Sequence, residues 1–300
     1  MIVSASRRTD IPAFYGRWLA NRIDAGFCDV TNPFNPKQIS RVSLAPEDVD
    51  AVVLWTRYPR SFSPFVPDII SRGFAVAALY TVVDYPELLE PRMPSLDDRI
   101  GAFRELAGIL GHGAVVWRYD PVILSNLTPA DYHLETFDRI AGSLADVTDR
   151  VIVSLFHPYR SVVHRLARIA TLELADHSEP TTELRPLAAR LAEIAARHGM
   201  SVQSCADPRI EGVPGIRTGG CIDERLLRAA GYPGPLPGPD PYQRGHCRCL
   251  RSRDIGAYET CLFDCAYCYA THDPRRAKAH ARRHDPEGSR LLPPAAPSAG

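Results

Sequence analysis

The chain has 300 residues, of which 45% are hydrophobic and 23% are charged, as in an ordinary globular protein with one large α/β domain or two smaller ones. Lys plus Arg and Asp plus Glu number 35 each, so the net charge is zero. This balance argues against bulk attraction to nucleic acid or to an anionic membrane surface as the main activity. The basic segment 275–285 is therefore interpreted as a solvated helix end.

No segment looks like a signal peptide, and the longest apolar stretch, FAVAALYTVV, is about half as long as a bilayer requires. We therefore expect a soluble, cytoplasmic protein that has no membrane partner. In that reducing compartment the eight cysteines are better candidates for metal ligation or catalysis than for disulfides.

Short apolar runs typical of buried strands alternate with helical periodicity along most of the chain. The predicted strands are, in chain order, 1–6, 27–31, 51–56, 74–83, 114–119, 150–156, 200–205 and 254–258. The longest predicted helices cover 12–26, 95–111, 128–144 and 182–199, with Ser95 and Thr128 as N-cap residues.

Eight strands that are each followed by a helix or a long loop predict an α/β fold, a TIM-like or partial (βα) barrel over residues 1–284. An open doubly wound sheet is the alternative. Residues 206–253, rich in Pro, Gly and Cys, are predicted to be an insertion without a strand–helix unit. The last strand, a cysteine loop and a terminal helix would then occupy 254–284, and 285–300 is predicted to be a disordered tail.

Polar motifs follow all eight predicted strands, and in such barrels the active site lies at the carboxyl ends of the strands. The motifs are SRRTD, NPFNP, WTRYP, TVVDYP, WRYDP, SLFHPYR, SCADPR and ETCLFDCAYC. Together they predict one polar mouth, lined by Arg7, Arg8, Asp10, Asn32, Asn35, Arg118, Asp120, His157 and Asp207. Arginine makes two-point contacts with carboxylate or phosphate, so the mouth would suit a polar or anionic small molecule.

Within WRYDP, Arg118 and Asp120 are the candidate catalytic pair. Asp120 would accept a proton from a substrate with Arg118 as its partner. The alternative interpretation is a buried ion pair that braces the rim of the barrel.

Cys261, Cys265 and Cys268 form a C-x3-C-x2-C triplet in DIGAYETCLFDCAYCYAT, residues 254–271. Thiolates are the preferred protein ligands of iron–sulfur clusters. Three cysteines would leave one iron of a [4Fe-4S] cubane open to bind a substrate or cofactor. A structural zinc site would need a fourth ligand, for which Cys247 and His272 are candidates.

Four more cysteines, Cys205, Cys221, Cys247 and Cys249, lie in or next to the Pro/Gly-rich segment. They are candidate ligands of a second iron–sulfur cluster or of zinc. In extended chain a C-x-C pair points to opposite faces, so both cysteines can serve one centre only if the loop bends. Placement of Cys247 or Cys249 near the first cluster and the absence of any metal role remain alternatives, and Cys28 is interpreted as a small core residue.

The loop CLFDCAYCY after a strand resembles the signature loop of the radical S-adenosylmethionine (SAM) enzymes. The resemblance implies that Cys261, Cys265 and Cys268 bind a [4Fe-4S] cluster whose open iron chelates the cofactor, and that Tyr267 lies beside the adenine. It also implies reductive cleavage of the cofactor to a 5′-deoxyadenosyl radical, and an electron donor such as a flavodoxin or ferredoxin. The substrate, a small molecule or a peptide, is not implied.

In that superfamily the loop follows the first barrel strand, whereas here it follows the last predicted one. The last strand of a closed barrel lies beside the first, so a circular permutation would preserve the geometry. SRRTD would then take the place of the glycine-rich, acid-containing turn that holds the amino group of the cofactor. The contacts expected from it are Ser6, Arg7, Arg8 and Asp10, with Thr9 as a further one.

Over nearly its whole length the chain also resembles the bacterial family called domain of unknown function 1848 (DUF1848). The matching pieces are SASRRTDIPAFY, NPFNPKQ, WRYDP, CID and DIGAYETC with the cysteines that follow. This resemblance implies a C-terminal cysteine cluster and implies no particular reaction.

Three functions therefore stand as hypotheses. The first is a radical SAM-type enzyme. The second is an iron–sulfur binding or redox protein that does not cleave SAM, which the lack of a GGE-like turn favours. The third is a zinc-stabilised barrel enzyme.

Overall fold

The structure is a computed structural model that describes residues 1–176 and 183–293. Its strands are β1 (Ile2–Ala5), β2 (Phe27–Asn32), β3 (Asn35–Ser43), β4 (Ala51–Thr56), β5 (Ala75–Thr81), β6 (Val115–Val122), β7 (Arg150–Leu155), β8 (Ser201–Ser204), β9 (Ile216–Thr218) and β10 (Ser252–Asp254). Its helices are α1 (Ile11–Phe14), α2 (Gly16–Ala25), α3 (Val66–Ser71), α4 (Leu96–Leu110), α5 (Ala130–Leu144), α6 (Arg160–Leu166), α7 (Leu184–Arg197), α8 (Glu224–Ala229) and α9 (Pro274–Arg283).

Eight of these strands form one parallel sheet in the order β10-β1-β4-β5-β6-β7-β8-β9. Strand β10 pairs with β1, with Asp254 opposite Ser4. From β1 to β9 the neighbouring strands of the sheet follow chain order. β10, the last strand of the chain, lies beside β1, the first. The predicted α/β class and large parallel sheet are confirmed.

Hydrophobic side chains cover both faces of the sheet, as expected when helices and loops bury a parallel sheet on two sides. On the face called here the helical face, strand residues such as Leu54 and Trp117 join the core that includes Phe103 of α4, Phe137 of α5 and Leu191 of α7. On the opposite face, called here the α8 face, strand residues pack with helix α8 and with three of the cysteines. That second core includes Ile2, Val53, Trp55, Leu79, Val116, Ile152, Cys205, Cys221, Leu226, Leu227 and Cys249.

The prediction that residues 27–31 form a strand of the main sheet is wrong. They form β2, which pairs only with β3 in a separate antiparallel hairpin. Cys28 and Val30 are buried while their neighbours in β2 are partly exposed, the alternation expected of a ribbon with one covered face. Asn32 and Asn35 consequently flank the turn of this hairpin, at the ends of β2 and β3, and do not lie among the residues at the carboxyl edge of the main sheet.

The segment 206–253 also differs from its prediction as an insertion without a strand–helix unit. Strand β9 pairs with β8 and is followed by α8, so this segment contributes the strand at one end of the sheet order. With only three residues, Ile216–Thr218, β9 is too short to give a readable periodicity.

The predicted disordered tail differs from the structure over residues 285–293. The carbonyl oxygen of Gly288 accepts a hydrogen bond from Trp18 Nε1 at 2.9 Å, and that of Glu287 accepts one from Arg22 of α2. Leu291 is buried. The rest of the predicted tail lies outside the described residues.

Ser95 caps α4 as predicted, because its side chain accepts a hydrogen bond from the Asp98 amide. Thr128 does not cap α5: its hydroxyl donates to the Ile123 carbonyl, and Pro129 precedes the helix. In the described part of the chain no helix is long and apolar enough to cross a membrane.

Candidate functional site

Asp254, the last residue of β10, joins the turn after β1 to the start of the cysteine loop. Its carboxylate accepts hydrogen bonds from Ser6 Oγ at 2.6 Å, from the Arg7 amide at 2.8 Å and from the Gly256 amide at 2.9 Å. The guanidinium of Arg8 lies 3.9 Å from the same carboxylate. The SRRTD turn and the chain leading to the cysteines are therefore held together by one acidic side chain.

Gly256 lets these two segments come into direct contact. A Cβ at this position would lie 2.0 Å from Ser6 Oγ and 2.5 Å from Ser6 Cβ, closer than any side chain tolerates. Beyond the cysteines, the Tyr269 hydroxyl donates to the Arg7 carbonyl at 2.6 Å. The two ends of the sequence thus form one structural unit, as the permutation hypothesis requires.

The cysteine loop runs from residue 261 to 268 at the carboxyl edge of the sheet, immediately after β10. Glu259 and Asp264 take the left-handed conformation, with φ of 58° and 61°, and a turn closes between Cys265 and Cys268 by a 3.0 Å backbone hydrogen bond. Such conformations are strained for residues other than glycine and cluster at functional sites.

Arg165 of α6 fixes the second half of the loop. Its guanidinium donates to the carbonyl oxygens of Ala266 at 2.5 Å and Thr271 at 2.6 Å, and also to that of Cys268. One partly buried cation therefore supplies hydrogen bonds to three backbone acceptors of this segment.

The three thiols lie close enough together to influence one another. Burial raises the pKa of Cys261, and the nearby Cys268, Cys265 and Asp10 raise it further. Burial also raises the pKa of Cys265, to about 12, although Arg57 opposes the effect by donating to the Cys265 sulfur at 3.1 Å. The raised pKa values favour the protonated thiols of Cys261 and Cys265, and a metal or cluster is the kind of group that would stabilise their thiolates.

Arg57, Glu90 and Tyr267 form a charged network beside Cys265. Arg57 Nη2 lies 2.5 Å from Glu90 Oε1, and Arg57 Nη1 donates to the Tyr267 hydroxyl at 2.7 Å. The Tyr267 hydroxyl in turn donates to Glu90, and its ring meets the Tyr85 ring edge-on with centroids 5.5 Å apart. The predicted adenine neighbour, Tyr267, is therefore held rigidly beside the cysteines.

Asp10 is placed differently from its expected role as a contact of the cofactor. One carboxylate oxygen accepts from the Ala13 amide at 3.0 Å and caps α1, and the other accepts from the Arg57 amide at 2.6 Å. Asp10 lies near Cys261, and both of its carboxylate oxygens are engaged by the backbone.

Several buried polar atoms at this edge have no hydrogen-bond partner among the described residues. They are Arg7 Nη2, Thr9 Oγ1, Trp55 Nε1, Arg57 Nε, Glu90 Oε2 and Arg118 Nε. Buried polar atoms in native proteins are nearly always satisfied. They lie on β4 and β6 and on the segments that follow β1, β4 and β5, so they are the atoms there that a polar ligand could satisfy.

Arg118 and Asp120 form an ion pair at the end of β6. Arg118 also lies over the Trp55 ring, 4.8 Å from its centroid, and Arg7 lies 4.7 Å from the same centroid. The two arginines, from β6 and from the turn after β1, therefore meet on one aromatic side chain. His157 and Asp207 lie on loops after β7 and β8, where Asp207 pairs with Arg209 at 2.6 Å.

The four remaining candidate ligands also come together. The sulfur atoms of Cys221 and Cys205 lie 3.2 Å apart, and the Cys221 amide donates to the Cys249 sulfur at 3.2 Å. Cys247 lies close enough to Cys249 and Cys205 for their charges to interact. The four cysteines therefore lie near one another. Cys28 lies apart from them, buried in the hairpin.

Across the described residues, no three His, Cys, Asp or Glu side chains stand in an arrangement that could hold a metal ion. In a four-iron cluster each thiolate binds a different iron, so the sulfur atoms of its ligands need not surround one point.

Sequence reasoning missed Asp254, Arg57, Glu90, Trp55 and Arg165. The chain does contain a signal for two of them, because Trp55 and Arg57 lie in WTRYP, at the end of a predicted strand. Glu90 lies on a loop nine residues after β5, and no local pattern distinguishes it from a surface carboxylate.

A comparison with sequence families matches the chain over residues 2–270 to the family described as Domain of unknown function (DUF1848). No match is found among curated proteins or among solved structures. The matched region contains β1 to β10, the SRRTD turn and all three cysteines of the loop. The chain belongs to the DUF1848 family.

Proposed function

We propose that this protein is an iron–sulfur enzyme of the radical SAM type, with Cys261, Cys265 and Cys268 as the ligands of a [4Fe-4S] cluster. The observation that carries the proposal is the meeting of the cysteine loop with the SRRTD turn around Asp254 and Gly256. A cluster held by three thiolates supplies an open iron for the methionine part of SAM and one electron for cleavage of its sulfonium to a 5′-deoxyadenosyl radical.

The donor set and its surroundings suit such a cluster. Cationic hydrogen-bond donors compensate the negative charge of thiolates, and Arg57 already donates to Cys265 while Arg165 holds the Cys268 carbonyl. The half-buried loop would also restrict access of water and oxygen to the irons.

Cofactor contacts follow from the unpartnered atoms. Arg7 Nη2 and Thr9 Oγ1 are buried without partners, so they are the best candidates to bind the carboxylate of SAM. Ser6 and Arg8 would add further contacts to SAM, because Asp254 holds both side chains in the same turn. Tyr267 would lie along the adenine, oriented by its hydroxyl bonds to Arg57 and Glu90.

We also propose that the sheet is a barrel, complete or partial, and that it is circularly permuted relative to radical SAM barrels. The pairing of β10 with β1 supports this arrangement, because it puts the cysteine loop before β1 in the order of the sheet. Arg118 and Asp120, on the α8 face, would then border the substrate pocket, with Asp120 as the proton acceptor. The substrate would be a small molecule or a peptide, and an acidic electron carrier such as a flavodoxin or ferredoxin would reduce the cluster.

An iron–sulfur redox protein that does not cleave SAM is the second candidate. The position of Asp10 favours it, because both carboxylate oxygens of the only acid in SRRTD already accept backbone hydrogen bonds. The amino group of SAM would then need another acceptor. A zinc-stabilised barrel is the third candidate, although His272, one of its possible fourth ligands, already contacts Glu259 at 2.8 Å.

The test is anaerobic purification, reconstitution with iron and sulfide, reduction, and measurement of 5′-deoxyadenosine released from SAM. We expect release in the wild type and in Cys28→Ala, the matched control, and loss of the cluster and of release in Cys265→Ala. An intact cluster spectrum without release or any spectral response to SAM would support the redox protein. Stoichiometric zinc with no iron uptake would refute both iron–sulfur functions.

A further inference from the structure

We propose that Cys205, Cys221, Cys247 and Cys249 form a second metal centre, with four thiolate ligands, on the α8 face of the sheet. It is separate from the triplet at 261–268 and does not depend on SAM cleavage. Zinc and a four-iron cluster both take four thiolates, and the experiment below distinguishes them.

Three distant pieces of chain bring these thiols together. Cys205 directly follows β8, Cys221 follows β9, and Cys247 and Cys249 precede β10. The contacts are Cys221 Sγ to Cys205 Sγ at 3.2 Å and Cys221 N to Cys249 Sγ at 3.2 Å. Cys247 lies close enough to Cys249 and Cys205 for their charges to interact.

The backbone is built to allow this convergence. A Cβ on Gly220 would lie 2.4 Å from the Arg248 carbonyl oxygen and 2.7 Å from the Cys249 amide. The Gly220 carbonyl accepts from Gln203 Nε2 at 2.7 Å. Only glycine lets the chain before Cys221 pass this close to the chain before Cys249.

Three guanidinium groups lie near these thiols. Arg244 Nη2 lies 3.8 Å from the Cys205 sulfur, and Arg7 is close enough to Cys249 for their charges to interact. Arg118 is the third, and its Nε is buried without a hydrogen-bond partner among the described residues. Nearby cations favour the thiolate form that metal ligands need, so an anionic tetrathiolate centre would suit this position.

The Cys221 thiol donates to the Cys205 sulfur in this structure. That 3.2 Å sulfur contact is shorter than the separation of about 3.8 Å between thiolates that each bind one zinc at about 2.3 Å. Metal binding would replace the S–H···S bond with metal–sulfur bonds, release the protons of the thiols and move these two sulfur atoms apart.

The experiment removes the first site and measures what remains. The triple variant Cys261→Ala/Cys265→Ala/Cys268→Ala is purified anaerobically, and its zinc, iron and acid-labile sulfide are measured before and after reconstitution. We expect about one zinc, or about four iron with four sulfide, per chain. Adding Cys221→Ala should abolish this metal, and adding Cys28→Ala should leave it. Because the triple variant cannot cleave SAM under the proposed function, its metal content tests the second centre alone.

The proposal is overturned if the triple variant holds no more metal than the variant that also carries Cys221→Ala. It is equally overturned if mass spectrometry of the anaerobic protein shows a disulfide between Cys205 and Cys221. Should the triple variant fail to fold, Cys221→Ala in the otherwise wild-type chain provides the test. It should lower the metal content by one zinc or by about half of the iron, and unchanged content would refute the second centre.

Discussion

At the scale of single residues, buried charges shape the region around the cysteine loop. The side chains of Glu90 and Arg57 are 1% and 13% exposed and form an ion pair, to which Tyr267 adds its hydroxyl. In a buried pair the partner that remains after a substitution keeps its charge without compensation. The position of Tyr267 therefore depends on an acid far away in the sequence.

Glu90→Gln should reduce the free energy of unfolding by about 3–5 kcal/mol, because it leaves the Arg57 charge buried and unpaired. Urea denaturation followed by circular dichroism measures the change. The control is Glu105→Gln, which breaks a pair with Arg60 in which both side chains are about half exposed and should change stability by less than about 1 kcal/mol. Equal effects of the two substitutions would contradict the role given to Glu90.

Asp10 gives a prediction about pH. Burial raises its pKa from 3.8 to about 6, so in this window the folded protein binds a proton that the unfolded chain has released. The stability that Asp10 contributes is therefore present in full below about pH 4 and is lost as the pH rises to about 6, by an amount of about 3 kcal/mol.

Asp10→Asn should remove this dependence. Free energies of unfolding measured from pH 4 to 7 should show a wild-type advantage over the variant that shrinks as the pH rises. Asp131→Asn, which removes an exposed carboxylate of α5, serves as the control and should follow the wild type. A wild-type advantage that grows with pH would mean that the pKa of Asp10 is lowered in the folded state.

At the scale of elements, a very short strand, β10, positions the cysteine loop. Strand β10 has three residues, Ser252–Asp254, yet it sets the position of the cysteine loop relative to the SRRTD turn. Its pairing with β1 is reinforced by side-chain contacts of Asp254 and by the close approach at Gly256. The contacts between β10 and the segment after β1 therefore position the loop more than the short strand β10 does by itself.

Gly256→Ala should separate the two segments, because the new Cβ would overlap with Ser6. We expect a loss of about 1–3 kcal/mol in the free energy of unfolding, together with reduced cluster retention after reconstitution. Gly238→Ala is the matched control, since a Cβ there meets nothing within 4 Å. Full cluster retention in Gly256→Ala would show that contact with SRRTD is not needed to position the loop.

At the scale of the whole molecule, the sheet joins both candidate metal sites to one framework. Strands β5, β6 and β7 lie in the middle of the sheet order and β9 and β10 lie at its edges. The segment that carries Cys221, Cys247 and Cys249 lies between β9 and β10 in the sequence and packs on the α8 face of the sheet. Its stability should therefore depend on both the sheet and the thiol group.

Hydrogen exchange followed by mass spectrometry should show the slowest exchange in peptides from β5 to β7 and faster exchange in β9 and β10, because edge strands open more readily. Removing metal with a chelator should speed exchange within 219–251 and at 261–268 and leave β5 to β7 unchanged. Exchange in 219–251 that does not respond to metal removal would argue against a ligand that binds this segment.

The sequence by itself determined the α/β class, most strands of the sheet and both groups of cysteines. Local sequence patterns predict these features: apolar runs between turns predict the strands, and thiols that are three or four residues apart or concentrated in one segment predict the groups of cysteines. Tertiary structure alone decided that residues 27–32 form a hairpin, that β9 completes the sheet, and that Arg57, Glu90 and Asp254 surround the cysteine loop. The physical reason is that a pairing partner or a buried counter-charge lies tens to hundreds of residues away, so nothing in the local pattern specifies it until the chain has folded.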